Sequence, residues 1–69
     1  MASKTHMKRA LARAIKAVGG ARALAETLKI TRQAVEQYEI CPPQHVLTVE
    51  RVSEVSRHDL RPDLYPRES

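Results

Sequence analysis

The chain of 69 residues has no phenylalanine or tryptophan, only two tyrosines and two glycines, and a single cysteine. Because Cys41 has no second cysteine to pair with, an internal disulfide is excluded and a reducing, cytoplasmic location is expected. No apolar run approaches the roughly 18 residues of a membrane span, and nothing resembles the apolar segment of a secretory signal. A chain this short forms one small domain with little room for a deep substrate pocket, so we predict that it is not an enzyme and uses no cofactor.

The charges are distributed unevenly. The net charge is +4, but residues 1–32 carry eight Lys and Arg against one Glu (+7), whereas residues 33–69 carry four Arg against seven acidic residues (−3). A basic half of this kind is typical of a protein that binds a polyanion, and nucleic acid is the first candidate partner. Charge alone supports equally well a first helix whose basic residues are simply solvated.

The first helix is indicated by apolar residues that recur with helical spacing from Met7 to Val18. The segment 1–6 before it is short, polar and unpatterned, and we expect a flexible tail there. Gly19-Gly20 is expected to end the helix, because glycine readily adopts the left-handed conformation of a helix C-cap.

Two shorter helices are predicted over residues 21–28 and 31–40. Thr31 is a good N-cap for the second, because its hydroxyl can accept a hydrogen bond from the first turn. The prolines after Cys41 are expected to stop it.

Residues 44–55 are ambiguous. Their four valines suit a strand, but their apolar spacing is closer to that of a helix, and no glycine-containing turn is present to close a hairpin. We predict a helix that begins at Pro43, a residue well suited to the first helical position. Ser56 to Asp59 has the form of a capping box that opens one last helical turn. Residues 62–69 are expected to be extended, with three apolar side chains near this end packed on the helices: Leu60, Leu64 and Tyr65.

The sequence therefore predicts an all-α fold, a compact bundle of four to five short helices over residues 7–61. Within it, two short helices joined by a tight turn form a helix-turn-helix over residues 21–40. Ala25 is small enough for the two helices to cross closely, Ile30 fills the angle between them, and Val35 anchors the second helix. The outer face of the second helix then carries four candidate base-contacting residues: Arg32, Gln33, Glu36 and Gln37. Arg can donate two hydrogen bonds to guanine, and Gln can form two with adenine.

Two segments of the chain also resemble a known family. The helix-turn-helix of small phage-type repressors, the Cro and YdaS-type antitoxin group, is similar to the segment ALAETLKITRQAVEQYEICPP. The ending found in many of these proteins is similar to SRHDLRPDLYPRE, so the resemblance covers roughly residues 7–68. It implies a repressor in a bacterial host that binds double-stranded DNA sequence-specifically, usually on a palindromic operator as a pair of subunits.

The resemblance places Arg32, Gln33 and Gln37 at base-contacting positions, with Glu36 beside them. Phosphate contacts are expected from three basic side chains and one hydroxyl: Lys8, Arg22, Lys29 and Thr31. Four positions depart from the family pattern. Lys29 replaces the usual turn glycine and must adopt a positive φ; Ala21, Tyr38 and the segment 39–41 replace a glutamine, a tryptophan and a basic run. These departures bear on affinity more than on fold.

Several residues have alternative interpretations. Glu36 can orient Arg32 one turn earlier or accept from cytosine, and a bystander role is the third possibility. Cys41 and His45 have a spacing that could ligate a metal, but two ligands do not make a tetrahedral site, and we predict none. Tyr38 and Tyr65 are expected in the core and not stacked on bases.

The expected partner is an operator in double-stranded DNA. Because the core lacks Phe and Trp, we expect a monomer or weak dimer in solution that becomes a dimer on a palindrome. The rival hypothesis is an antitoxin that binds a protein toxin through its C-terminal surface and represses its own operon. A helix-turn-helix that serves only self-association is a third possibility.

Overall fold

The computed structural model describes residues 3–66, and within them every regular element is helical. The elements in chain order are α1 (Lys4–Ala17), α2 (Ala21–Leu28), α3 (Arg32–Gln37), a 3₁₀ turn (Pro43–His45), α4 (Val46–Ser53) and α5 (Arg57–Leu60). Residues 3–66 contain no strand, so the hairpin alternative for residues 44–55 is eliminated and the all-α prediction is confirmed. No helix in this range is long and apolar enough to cross a membrane.

Helix α1 begins at Lys4, three residues earlier than the sequence pattern predicted. The Oγ of Ser3 accepts a hydrogen bond from the backbone N–H of His6 at 3.0 Å and thereby caps the first turn. The prediction of an unstructured tail over residues 1–6 was therefore wrong for residues 4–6, whereas Met1 and Ala2 lie outside the described residues.

The C-terminus of α1 ends at the glycine pair, as predicted. The N–H of Gly20 donates to the carbonyl of Ile15 at 2.8 Å, and the N–H of Gly19 donates to the carbonyl of Lys16 at 3.2 Å. These two bonds form a Schellman motif, which requires a left-handed residue. Gly19 meets that requirement with a φ of 103°.

Helix α3 is shorter than predicted, because it ends at Gln37 and not at residue 40. Tyr38 is already extended, with φ −73° and ψ 126°. This change of direction lets the following segment turn inward, so that Cys41 is fully buried in the core. A helix continued to residue 40 would lose that burial, so tertiary packing ends α3 before the prolines do.

Helices α4 and α5 confirm the helical interpretation of the C-terminal half. Pro43 starts the 3₁₀ turn that leads into α4, and Ser56 Oγ caps α5 by accepting from the N–H of His58 at 3.1 Å. Asp59, the fourth residue of the capping-box pattern, faces His6 and Arg13 of α1. The N–H of Arg57 in the first turn of α5 donates to Glu50 Oε2 at 2.7 Å.

The segment after α5 is a turn and not the extended tail that the sequence predicted. The N–H groups of Leu64 and Tyr65 both donate to the carbonyl of Arg61, at 3.0 and 2.8 Å. Leu60 and Tyr65 pack on the core as expected, whereas Leu64 is 46% exposed, so that part of the prediction was wrong. Residues 67–69 of the predicted tail lie outside the described residues.

The core is formed where α1 packs against α2, α4 and α5. Its buried members are small or branched apolar residues: Ala10, Leu11, Ala14, Leu24, Ala25, Val35, Cys41, Val46, Val49 and Leu60. Helices α2 and α3 make their closest tertiary contacts with each other. They therefore form a unit that leaves the far side of α3 free of the core.

Candidate nucleic-acid interface

The unit of α2 and α3 has the internal packing of a helix-turn-helix. Ala25 and Val35 are both buried between the helices, and Ile30 is half-buried in the angle that they form. The turn is a second Schellman motif, in which the N–H of Ile30 donates to Ala25 O at 3.0 Å and that of Lys29 to Glu26 O at 3.3 Å. Lys29 adopts φ 59° and ψ 43°, which confirms the positive φ expected of this residue.

Thr31 begins α3. Its Oγ1 accepts a hydrogen bond from the N–H of Ala34 at 3.1 Å, as predicted for an N-cap. The hydroxyl hydrogen is left to donate elsewhere, and a phosphate oxygen is a suitable acceptor. Thr31 is exposed, so the side chain can be reached from solvent.

The four candidate base-contacting residues share the outer face of α3. Arg32, Gln33, Glu36 and Gln37 are all exposed, and Val35 is the one residue of α3 that is fully buried. Arg32 Nε lies 3.9 Å from Glu36 Oε1, the spacing expected if Glu36 orients the guanidinium. Because both side chains are largely in solvent, this ion pair is weak and a base edge can displace it.

A shallow, open groove joins the two helices. Its volume is about 300 Å³, and it is lined by Arg22, Ala25, Glu26, Ile30 and Arg32. The groove brings Arg22, a predicted phosphate contact, to the same surface as Arg32, a predicted base contact. Arg22 Nε also lies 3.7 Å from Glu26 Oε1, again as an exposed pair one turn apart on its own helix.

The remaining predicted phosphate contact, Lys8, lies on α1 close to the loop that follows α3. Lys4 Nζ is 2.5 Å from Glu39 Oε2, and this hydrogen bond and the charge of Lys4 lower the pKa of Glu39, with a further contribution from the charge of Lys8. Sequence reasoning missed Lys4, which it assigned to the tail. The signal was present, because Lys4 and Lys8 are spaced by one helical turn.

No group of three His, Cys, Asp or Glu side chains that could hold a metal occurs within residues 3–66.

Burial raises the pKa of the Cys41 thiol to about 11, so the thiol stays protonated at neutral pH. The His45 ring lies 6.5 Å from the Tyr38 ring in a tilted arrangement, and Tyr38 packs against the core as predicted.

Two crossed helices, a left-handed turn and an exposed polar face on the second helix define a small all-α protein of the helix-turn-helix class. In a comparison with known families, the model described as the bacterial toxin YdaS matches residues 11–69. The chain belongs to this family of small bacterial prophage-type regulators and toxins. Comparisons with curated proteins and with solved structures gave no significant match.

The match bears out the YdaS part of the resemblance and leaves the Cro part without support. The family is described as a toxin, whereas the sequence resemblance indicated an antitoxin. Either description makes the chain a regulator or a component of a toxin–antitoxin pair.

Proposed function

We propose that the protein is a regulator that binds double-stranded DNA sequence-specifically, with α3 in the major groove. The observation that carries this proposal is the outer face of α3, where Arg32, Gln33, Glu36 and Gln37 are exposed together. All four have side chains long enough to reach base edges, and two of the types, Arg and Gln, form bidentate hydrogen bonds with guanine and adenine.

Backbone contacts come from the residues around α3. Arg22 and Lys29 are exposed cations on the same helix-turn-helix, and Thr31 offers its hydroxyl at the start of α3. Such contacts fix the register of the protein on the duplex without specifying sequence. Repression then requires only that the bound protein occupy the operator, because polymerase needs the same DNA.

A pair of subunits on a palindrome is the arrangement that gives useful specificity. Helix α3 has six residues, so one subunit contacts few base pairs. Two subunits on half-sites about 34 Å apart double the number of base contacts. We expect a monomer or weak dimer in solution, and sedimentation of the free protein beside half-site and full-site titrations measures this.

The test of the proposal begins with selection of a preferred duplex from a random library, followed by binding titrations at several salt concentrations. We expect log K to fall steeply with log salt, by about 0.9 for each phosphate neutralised. Arg32→Ala and Gln37→Ala should each weaken the selected site by about 1–3 kcal/mol and leave mixed-sequence DNA nearly unaffected.

Arg22→Ala is the matched control for Arg32→Ala, since both remove one arginine from the same groove. It should weaken selected and mixed-sequence duplexes alike and make the salt slope shallower by about 0.9. Equal losses on both duplexes for all three variants would show that α3 is not the element that contacts bases. A binding constant that does not respond to salt would defeat the DNA-binding function itself.

The family match favours a second candidate, a component of a toxin–antitoxin pair. In this role a partner protein binds the C-terminal surface, and DNA binding is secondary. Expression of the chain alone in a bacterium separates a toxin from a regulator: growth arrest that persists in Arg32→Ala supports the toxin role. Normal growth together with operator binding supports the regulator or an antitoxin that represses its own operon.

A further inference from the structure

We propose that Glu39 competes with DNA phosphates for Lys4 and Lys8, and thereby limits the affinity of the protein for DNA of any sequence. This inference rests on the proposed DNA-binding function, and it adds an acidic residue that opposes that function from within the same surface. The three residues come from two separate segments, the N-terminal half of α1 and the loop after α3.

The geometry is an ion pair between elements. Lys4 and Lys8 are one turn apart on α1, and Lys4 Nζ contacts Glu39 Oε2 at 2.5 Å. Glu39 follows the last residue of α3 by two positions. The two lysines are therefore positioned next to the helix proposed to enter the major groove, where the phosphates that border the groove lie.

The contact is open to exchange. The side chains of Lys4 and Glu39 are 65% and 59% exposed, so water surrounds most of both groups. An ion pair this exposed is weak, and a phosphate of the duplex can replace the carboxylate as the partner of Lys4. Lys8 is exposed as well, and its charge lowers the pKa of Glu39, as the charge of Lys4 does.

Other acidic side chains near the basic half are paired differently. Glu26 and Glu36 each face an arginine of their own helix, and Asp59 faces Arg13 and His6 on α1 from α5. The ion pair of Glu39 instead joins α1 to the segment that follows the proposed recognition helix. When a phosphate displaces the Glu39 carboxylate from Lys4, the carboxylate remains beside the duplex. The repulsion between carboxylate and phosphate then adds to the loss of affinity.

The test is Glu39→Gln, measured on a labelled mixed-sequence duplex of about three helical turns at several salt concentrations. Removing the competitor frees one or two cations for phosphate contacts. We expect about 5- to 10-fold tighter binding at about 0.1 M salt, and a slope of log K against log salt that is steeper by about 0.9 to 1.8.

Glu54→Gln is the matched control, because it raises the net charge by the same amount. Glu54 is exposed at the C-terminus of α4 and forms no ion pair within residues 3–66. It should change affinity less than twofold. Thermal melting of both variants checks that each is folded before binding is compared.

A double-mutant comparison tests whether Glu39 lowers affinity through the two lysines. In a Lys4→Ala/Lys8→Ala background, Glu39→Gln should tighten binding much less than in the wild type, because no cation is left to release and only the repulsion between carboxylate and phosphate is relieved. A gain of the same size in that background would overturn the inference, since Glu39 would then act only by direct repulsion. A steep salt response in the wild type with no gain from Glu39→Gln overturns the inference alone, whereas no binding to any duplex by either protein overturns the proposed function with it.

Discussion

Replacing Lys29 by glycine separates the stability of the helix-turn-helix from its affinity for DNA. Lys29 is left-handed, with φ 59° and ψ 43°, because the Schellman motif after α2 requires that conformation. An L-residue there is strained, and a glycine is not. The same side chain is an exposed cation proposed to contact phosphate. The substitution should therefore stabilise the fold and weaken DNA binding.

The magnitudes follow from the conformation and the charge. Relief of left-handed strain is worth roughly 1–2 kcal/mol. The greater freedom of glycine in the unfolded chain offsets about 0.4–1 kcal/mol of it. The net stabilisation is about 0.5–1 kcal/mol, which corresponds to a rise in Tm of roughly 2–8 °C for a domain of this size. Loss of one phosphate contact should weaken binding about 5- to 10-fold at about 0.1 M salt.

Thermal denaturation and a salt series on a mixed-sequence duplex measure the two effects. Glu54→Gly is the matched control, because Glu54 has the same conformation (φ 63°) at the end of α4 and has no proposed DNA contact. It should raise Tm similarly and leave binding no weaker. Lys29→Ala should weaken binding without raising Tm. A lower Tm for Lys29→Gly would refute the strain argument, and unchanged binding would remove Lys29 from the interface.

Four further predictions concern the core and the C-terminal turn. Leu60 is fully buried, so Leu60→Ala should lower the free energy of unfolding by about 2–5 kcal/mol in urea denaturation, whereas the exposed Leu64→Ala should change it by less than about 0.5 kcal/mol. Burial raises the pKa of Cys41 to about 11 from the 9.0 of an exposed thiol, so a thiol reagent at pH 8 should label it only as fast as the protein opens. Because the unfolded thiol ionises first, stability should also fall as the pH rises from about 9 to about 11, and Cys41→Ser should reduce that fall. Arg61 donates to the Cys41 carbonyl at 3.0 Å and to both carboxylate oxygens of Asp63 at 2.9 and 2.8 Å. Arg61→Lys should therefore lower the free energy of unfolding by about 1–2 kcal/mol, measured by urea denaturation.

The contrary outcome differs for the leucines, the cysteine and the arginine. Equal losses for Leu60→Ala and Leu64→Ala would mean that the C-terminal turn packs more deeply than its exposure indicates. Labelling of Cys41 at the rate of a free thiol would place it outside the core. An Arg61→Lys variant as stable as the wild type would show that the planar guanidinium is not needed to hold the turn against the loop after α3.

Local signals were sufficient wherever a single segment carries its own capping and turn residues. The bounds of α2, the N-cap Thr31 and the glycine stop of α1 all follow from residues within a few positions of each other. The positive φ of Lys29 was implied by the family resemblance. The helix over residues 46–53 was likewise predicted from its apolar spacing, although it ends two residues before the predicted boundary. The start of α1 was predictable too, because Ser3 is a favourable N-cap type three residues before His6.

The candidate site was predicted in part. The outward positions of Arg32, Gln33, Glu36 and Gln37 followed from helical periodicity once Val35 was assigned to the core, and the structure exposes all four. The position of Lys4 beside Glu39 could not be predicted, because these residues are 35 positions apart and meet only through the packing of α1 near the loop after α3.

The sequence by itself determined the helical class, the helix-turn-helix and the polar face of α3, since hydrophobic periodicity, caps and turn residues act over one or two turns of chain. Only the tertiary structure decided where α3 ends, which acidic residues face α1, and that Leu64 stays exposed while Leu60 is buried. Those outcomes depend on which distant surfaces share the core. The extended conformation of Tyr38 allows Cys41 to be buried, and this burial stabilises the fold more than three further helical residues would. The local sequence pattern gives no information about that difference in stability.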